Sequence, residues 1–382
     1  MENNSILIIL QFGTNIGYAI APLETTFYNM AKKLGYEDEN IHFSYCNQDK
    51  GHPDSLPDSF NNVISFDAKT TSKAEINNLL EYIKNHKITC IFGFDLPAKR
   101  AFYKPARAAG IKNIISYYGA PMSSINKGVK LFLKKLEMKL NSIGPDHYVF
   151  ESYAMRDTAV DGRGVQKERT SVVNLGVDES KYSVTVAESG ANIYKEFGIS
   201  ENKKIIFYSG HMQKRKGVHI LIKALAELIN NREREDIHLM IFGNKEGETD
   251  WLEEIYRDTP AQSHITFGGY RNDLHELMPA CYLGVIASNG WDSFPRSAIE
   301  MQACGLPLIV SRFQGLVETI EENKTGLLFE PGDYADLADK IEILLDKPDM
   351  QSNFSSNARS RVEKSYTLDI QLDNLVKVMN AI

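Results

Sequence analysis

The stretch Ser288–Gly315, SNGWDSFPRSAIEMQACGLPLIVSRFQG, places Asp292 just before a helix start, Arg296 in the first turn and Glu300 eight residues after Asp292. Ser293 reads as the N-cap, Pro295 suits the first turn, Gly305 stops the helix and Pro307 follows. The helix opens directly after the apolar run YLGVIAS and leads into LPLIVS, a strand–helix–strand unit. Arg296 then sits where the positive end of the helix dipole and unpaired N–H groups point, a poor place for a cation unless an anion is bound. Local conflicts of this kind mark functional sites.

The same alternation extends in both directions. SILIILQF, NIHFSYC, ITCIFGF, NIISYYG, DHYVF and TSVVNLG form a first series of strands, and KIIFYSG, IHLMIFG, HITFGG, YLGVIAS, LPLIVS and TGLLFE a second. Amphipathic segments such as AEINNLLEYIKNH and VHILIKALAELINN lie between them. Apolar strands separated by such helices predict parallel sheets covered on both faces. The polar stretch between the series sets a boundary near residue 185. The expected fold is α/β, with two Rossmann-like doubly wound domains, 1–185 and 186–365, facing a central cleft. The last segment, 366–382, is expected to be a helix crossing back to the first domain. Ligands should bind at the carboxyl ends of the strands.

A chain of 382 residues is long enough for two cores, and its formal net charge of −7 argues against a general nucleic-acid binder. Cys46, Cys90, Cys281 and Cys304 show no metal or redox spacing and read as reduced thiols. The chain shows neither a cleaved leader nor a membrane span, so a cytoplasmic protein is expected. The spacing in GTNIGYA is not that of a dinucleotide fingerprint, and no nicotinamide cofactor is expected.

Backbone N–H groups from Phe294, Arg296 and Ser297 form an anion site suited to phosphate, with Arg296 offering bidentate contact. Asp292 and Glu300 repel phosphate and suit the hydroxyls of sugars and riboses. Read further, DSFPRSAIEMQACGLPLIVSRFQGLVETIEENKTGLLFEPGD resembles the signature of retaining glycosyltransferases of the glycogen-synthase-like GT-B class, family four or "group 1". IIFYSGHMQKRKGVHILIKAL resembles that family's Lys-Gly element, VVNLGVD its hinge stretch, and IFGNKEG with ITFGGYRNDLHELMPACYLGVIAS the segments around its nucleobase pocket.

The resemblance implies a metal-independent transferase, without a cofactor, that takes a UDP- or GDP-linked sugar. The sugar passes to a glycan or lipid-linked acceptor in surface polysaccharide or lipopolysaccharide synthesis. Glu300 would bind the donor ribose, Asp292 the transferred sugar, and Lys216 the diphosphate. The backbone from Phe294 through Pro295 and Arg296 to Ser297, with Ser293, would meet the diphosphate and sugar. Gly210, His211, Arg215, Gly243, Tyr270 and Arg271 would complete the donor pocket, with Gly13 and Gly17 supplying close backbone approach from the first domain. Four departures accompany the match: Asp292 replaces a Glu, His211 an Arg, Tyr118 the His of a catalytic-region His-Gly, and Ala21-Pro22 a glycine pair. Tyr118 can still hydrogen-bond a sugar, or it simply packs. The departures also admit a partner protein that binds nucleotide sugar without transfer, and the fold admits a nucleotide-sugar epimerase. INKGVKLFLKKLEMKL, residues 125–140, is a basic amphipathic helix that could rest on anionic lipid or pack with its lysines solvated.

Overall fold

The computed structural model describes residues 4–17, 20–140, 143–185 and 193–382. The chain divides into two compact units, Met1–Asn174 with Asp369–Ile382, and Leu175–Leu368. The division precedes residue 185 because the first sheet ends near 172 and Val177 already bridges to Thr367. Residues 186–192, in the stretch expected to join the domains, lie outside the described residues. The terminal segment groups with the first unit, where Lys33 and Asp373 pair at 2.6 Å.

The first unit holds β1 (Ser5–Ile9), β2 (Ile41–Tyr45), β3 (Val63–Ser65), β4 (Ile88–Phe94), β5 (Asn113–Tyr118), β6 (His147–Phe150) and β7 (Thr170–Val172) in the order β3-β2-β1-β4-β5-β6-β7. All neighbouring pairs are parallel, with Ile8 set between Phe43 and Phe92. β1 and β2 are buried at every position, as a sheet covered on both faces requires. Among the described residues, the one strand that the apolar runs do not predict is β3. It has three partly exposed residues at the sheet edge, too few to leave a pattern.

The second unit holds β8 (Lys204–Ser209), β9 (Ile237–Phe242), β10 (Ile265–Gly269), β11 (Leu283–Ile286), β12 (Leu308–Ser311) and β13 (Gly326–Phe329), again all parallel, in the order β10-β9-β8-β11-β12-β13. Helix Val218–Asn230 buries Val218, Leu221, Ile222, Leu225, Leu228 and Ile229 at helical spacing against this sheet. In each sheet the strand order reverses once, at β1/β4 and at β8/β11, and these reversals open crevices at the strands' carboxyl ends.

Helix Pro348–Ser365 closes the second unit through Arg359. Its guanidinium donates to the carbonyls of Tyr182 at 2.6 Å, Ala303 at 2.8 Å and Glu179 at 3.2 Å. Arg359→Met strands these carbonyls and is expected to lower the unfolding free energy by about 2–4 kcal/mol in urea titration. Arg359→Lys should recover part of the loss, because one ammonium cannot reach all three acceptors.

Candidate active site

At the β8/β11 reversal two loops are laced together. β8 continues through Gly210 and His211 into the 3₁₀ turn Lys214–Lys216, and Gly217 then opens the following helix at φ 71°. A methyl at Gly217 would lie 1.8 Å from the Ala287 carbonyl oxygen, so this position admits no side chain. The Arg215 carbonyl accepts from the amides of Asn289 and Gly290 at 2.9 and 3.1 Å. The Arg215 guanidinium donates to the Trp291 carbonyl at 3.1 Å and stacks over the Trp291 ring at 4.4 Å.

Lys216 Nζ meets Asp292 Oδ2 at 2.7 Å, and that oxygen also accepts from Ser288 Oγ at 2.8 Å. Asp292 is 5% exposed, and its amide donates to Gln314 Oε1 at 3.2 Å. The ammonium of Lys216 keeps some access to solvent, with its side chain 19% exposed. One cation and one carboxylate therefore share a nearly dry crevice where a phosphate and a hydroxyl-rich group could each find a partner.

The helix beside it spans Arg296–Ala303. Its N-cap is Pro295 rather than the expected Ser293, because the residue before a proline is disfavoured in helical conformation and the first turn cannot begin at Phe294. Ser293 is 4% exposed, and its hydroxyl is buried without a partner. The amides of Arg296 and Ser297 precede any intrahelical bond. Arg296 makes its own contact, apart from the hydrogen bonds of the Lys216–Asp292 pair. Its Nη1 donates to the Gly176 carbonyl at 3.0 Å, and its Nη2 is buried without a partner. A carbonyl, not an anion, eases the expected charge conflict in this structure. Glu300 lies one turn into the helix, 5% exposed.

Gly210 and Gly243 come together at the ends of β8 and β9. Gly243 adopts φ 97°, and a methyl there would lie 2.6 Å from the Gly210 carbonyl oxygen. His211 is exposed, and its carbonyl accepts from the Tyr208 hydroxyl at 3.3 Å. Tyr270 is 55% exposed. Arg271 is committed to carboxylates: Asp273 through Nε at 2.8 Å and Nη2 at 2.5 Å, and Glu196 through Nη1. Asp273 first, then Glu196, holds the guanidinium well above its ordinary pKa. A nucleobase at this position would meet a neutralised arginine.

The remaining expected residues belong to the first unit. Gly13 and Gly17 follow β1, and a methyl at Gly13 would press 2.5 Å from the Asn47 amide oxygen, so that glycine answers to packing. Tyr118 is buried, with its hydroxyl donating to the Leu96 carbonyl at 3.0 Å and its ring 5.5 Å from Phe150. This is the packing alternative, with the hydroxyl's proton already used.

Two carboxylates that sequence reasoning did not select surround Gly119. Asp95 Oδ1 accepts from the Gly119 amide at 3.2 Å, and a methyl at Gly119 would lie 3.2 Å from Glu151 Oε1. Gln11, after β1, donates to the Phe94 carbonyl at 2.9 Å and the Asp95 carbonyl at 2.6 Å, which closes the β1/β4 reversal. Asp95, Glu151 and Ser288 each follow a strand within two residues, a signal available in the sequence. Among the described residues no group of three or more His, Cys, Asp or Glu is placed to hold a metal ion. All four cysteines are free, and burial pushes the Cys90 and Cys304 thiols up to about 12.

Two Rossmann-like parallel-sheet domains, with the candidate site at a strand-order reversal, define the GT-B class of fold. The solved glycosyltransferase from Rickettsia africae has this fold with a TM-score of 0.81, at 18% identity over 98% of both chains. Anabaena HepE, solved in complex with UDP, has it with a TM-score of 0.79, at 18% identity over 99% of this chain and 100% of that one. Residues 191–361 match the model of the glycosyl transferases group 1. The D-inositol 3-phosphate glycosyltransferase of Corynebacterium kroppenstedtii is 26% identical over 225 residues, 57% of this chain and 50% of that protein. The match thus spans about half the length of that relative.

Burial raises the Asp95 carboxyl from the ordinary range to about 7, with the Gly119 amide acting in the opposite sense. Between about pH 4 and this raised value the folded chain keeps a proton that the unfolded chain has lost, so stability falls as pH rises through that window. Asp95→Asn keeps the oxygen that accepts from Gly119 and removes the titration. It is expected to melt higher than the parent at about pH 8, with the gain shrinking toward about pH 4. Thermal unfolding followed by circular dichroism across pH checks this; parallel curves for the two proteins would assign the slope elsewhere.

Proposed function

We propose that this chain is a retaining, metal-independent glycosyltransferase that moves a sugar from a nucleotide diphosphate to a glycan or lipid-linked acceptor. The observation that carries the reading is the grouping of Lys216 and Asp292 at the β8/β11 reversal, next to the open N-terminus of helix Arg296–Ala303. A nucleotide sugar needs a cation for its diphosphate and acceptors for its hydroxyls. Lys216 supplies the first and Asp292 with Glu300 the second. The amides of Arg296 and Ser297 and the unpartnered Ser293 hydroxyl would add donors to the phosphate oxygens.

In the reaction the bond between the anomeric carbon and the diphosphate oxygen breaks, and its electron pair leaves with the diphosphate. The acceptor oxygen bonds to the same face of the sugar, and its proton passes to the departing diphosphate. Lys216 stabilises the growing negative charge, which requires it to exchange its Asp292 partner for phosphate and frees Asp292 for the sugar. A UDP- or GDP-linked donor fits the family, and HepE was solved with UDP. Synthesis of a surface polysaccharide or lipopolysaccharide on the cytoplasmic side of a membrane is the setting that this reading implies.

A second reading, binding without transfer, draws on the commitment of the Asp292 carboxylate to both Lys216 and Ser288. Calorimetric titration with UDP-, GDP- and ADP-sugars separates the two. Binding of one donor is expected, weakened about a hundredfold in Glu300→Ala through loss of charged hydrogen bonds to the ribose. Donor bound with neither transfer nor slow hydrolysis would support the second reading. No donor bound by the parent would sink both.

A further inference from the structure

Helix Gly128–Leu140 in the first unit is amphipathic, but its apolar face is not covered. Val129 is 75% exposed, Phe132 65%, Leu133 58%, Leu136 43% and Leu140 76%, with Ile125 and Ile143 exposed on either side. Seven of the fifteen large apolar side chains exposed among the described residues therefore fall between 125 and 143, which makes this a patch rather than surface scatter. At about 100° per residue, positions 129, 132, 133, 136 and 140 share one stripe of the helix, and 138 lies opposite.

The opposite face is the one the fold holds. Met138 is buried there, and Gly164 packs so closely that a methyl would lie 2.7 Å from the Lys135 backbone. Glu137 fixes the rotation of the helix through Lys99 at 2.9 Å and a two-point contact with Arg163 at 2.8 and 3.2 Å. These partners, Lys99 first, hold its carboxyl down at about 2. The exposed stripe is therefore a fixed orientation and not a loosely attached helix.

Charge says what the stripe would meet. The protein carries a net charge of −7, yet residues 127–139 contain Lys127, Lys130, Lys134, Lys135 and Lys139 against one acid, Glu137. Behind the helix, a cavity of about 430 Å³ is lined by Lys135, Lys139, Lys167 and Arg169, with no acidic residue in its wall. A second copy that met the stripe with its own would set these lysines against one another. A bilayer with anionic headgroups offers both: acyl chains for the stripe and phosphates for the lysines and the cavity.

We propose that helix Gly128–Leu140 is a docking surface for anionic phospholipid bilayers, lying in the interface plane with the cavity taking lipid phosphate. The helix lies on the surface and does not span: no helix among the described residues is long and apolar enough to cross a membrane. The proposal is independent of the donor reading, since neither Lys216 nor Asp292 takes part.

Flotation of the full chain with phosphatidylcholine vesicles, with or without phosphatidylglycerol as about a third of the lipid, tests it. Binding is expected on the anionic vesicles alone, weakening as salt shortens the range of the attraction. Phe132→Ser with Leu136→Ser, and separately Lys135→Glu with Lys139→Glu, should each reduce binding by about tenfold or more, with melting temperature and donor affinity unchanged. Equal binding to both vesicle types, or anionic binding that survives both variants, overturns the proposal. A dimer in sedimentation that Phe132→Ser with Leu136→Ser dissolves, together with no vesicle binding, overturns it in favour of self-association.

Discussion

The ion pair between Lys216 and Asp292 ties together the two loops on which the candidate site is built. One loop leaves β8 and the other leaves β11, the strands between which the sheet order reverses. A pair this buried adds little net stability, because desolvation offsets the attraction. Its effect is positional. With Ser288 on the same carboxylate oxygen, Gln314 on the Asp292 amide and the Arg215 carbonyl on two amides of the partner loop, the register of the loops is set from several directions. Gly217 completes the arrangement by letting the Ala287 carbonyl approach where any side chain would stand.

The first unit repeats this logic with different chemistry. Its reversal lies between β1 and β4 and is closed by the Gln11 amide on the carbonyls of Phe94 and Asp95. There Asp95 and Glu151 stand about Gly119, and Arg100 donates to Gln11 Oε1 at 3.2 Å. A group held near neutral pKa by burial is suited to exchanging a proton with a hydroxyl, whereas the ammonium of the second unit is suited to an anion.

Much of this was legible along the chain. Twelve strands announced themselves as apolar runs, since strands of a parallel sheet covered on both faces carry mostly hydrophobic residues. Edge strand β3, half exposed and three residues long, left no such trace. Lys216, Asp292 and Glu300 were readable from their motifs because a short strand–loop–helix connection leaves little freedom in where they go. Arg296 and Tyr118 were read for their chemistry, yet each side chain is turned to a carbonyl, of Gly176 and Leu96, that lies far from it in sequence.

The sequence by itself determined the two parallel sheets and the helix between β11 and β12, because hydrophobic period and turn residues act over a few positions. Tertiary structure decided which polar atoms became one another's partners. Lys216 and Asp292 are separated by 76 positions and Arg296 and Gly176 by 120, and Asp95 reaches the Gly119 amide across 24. Whether a charge is paired, shielded or left open depends on what the packed sheet brings within about 3 Å of it, a distance no local pattern encodes.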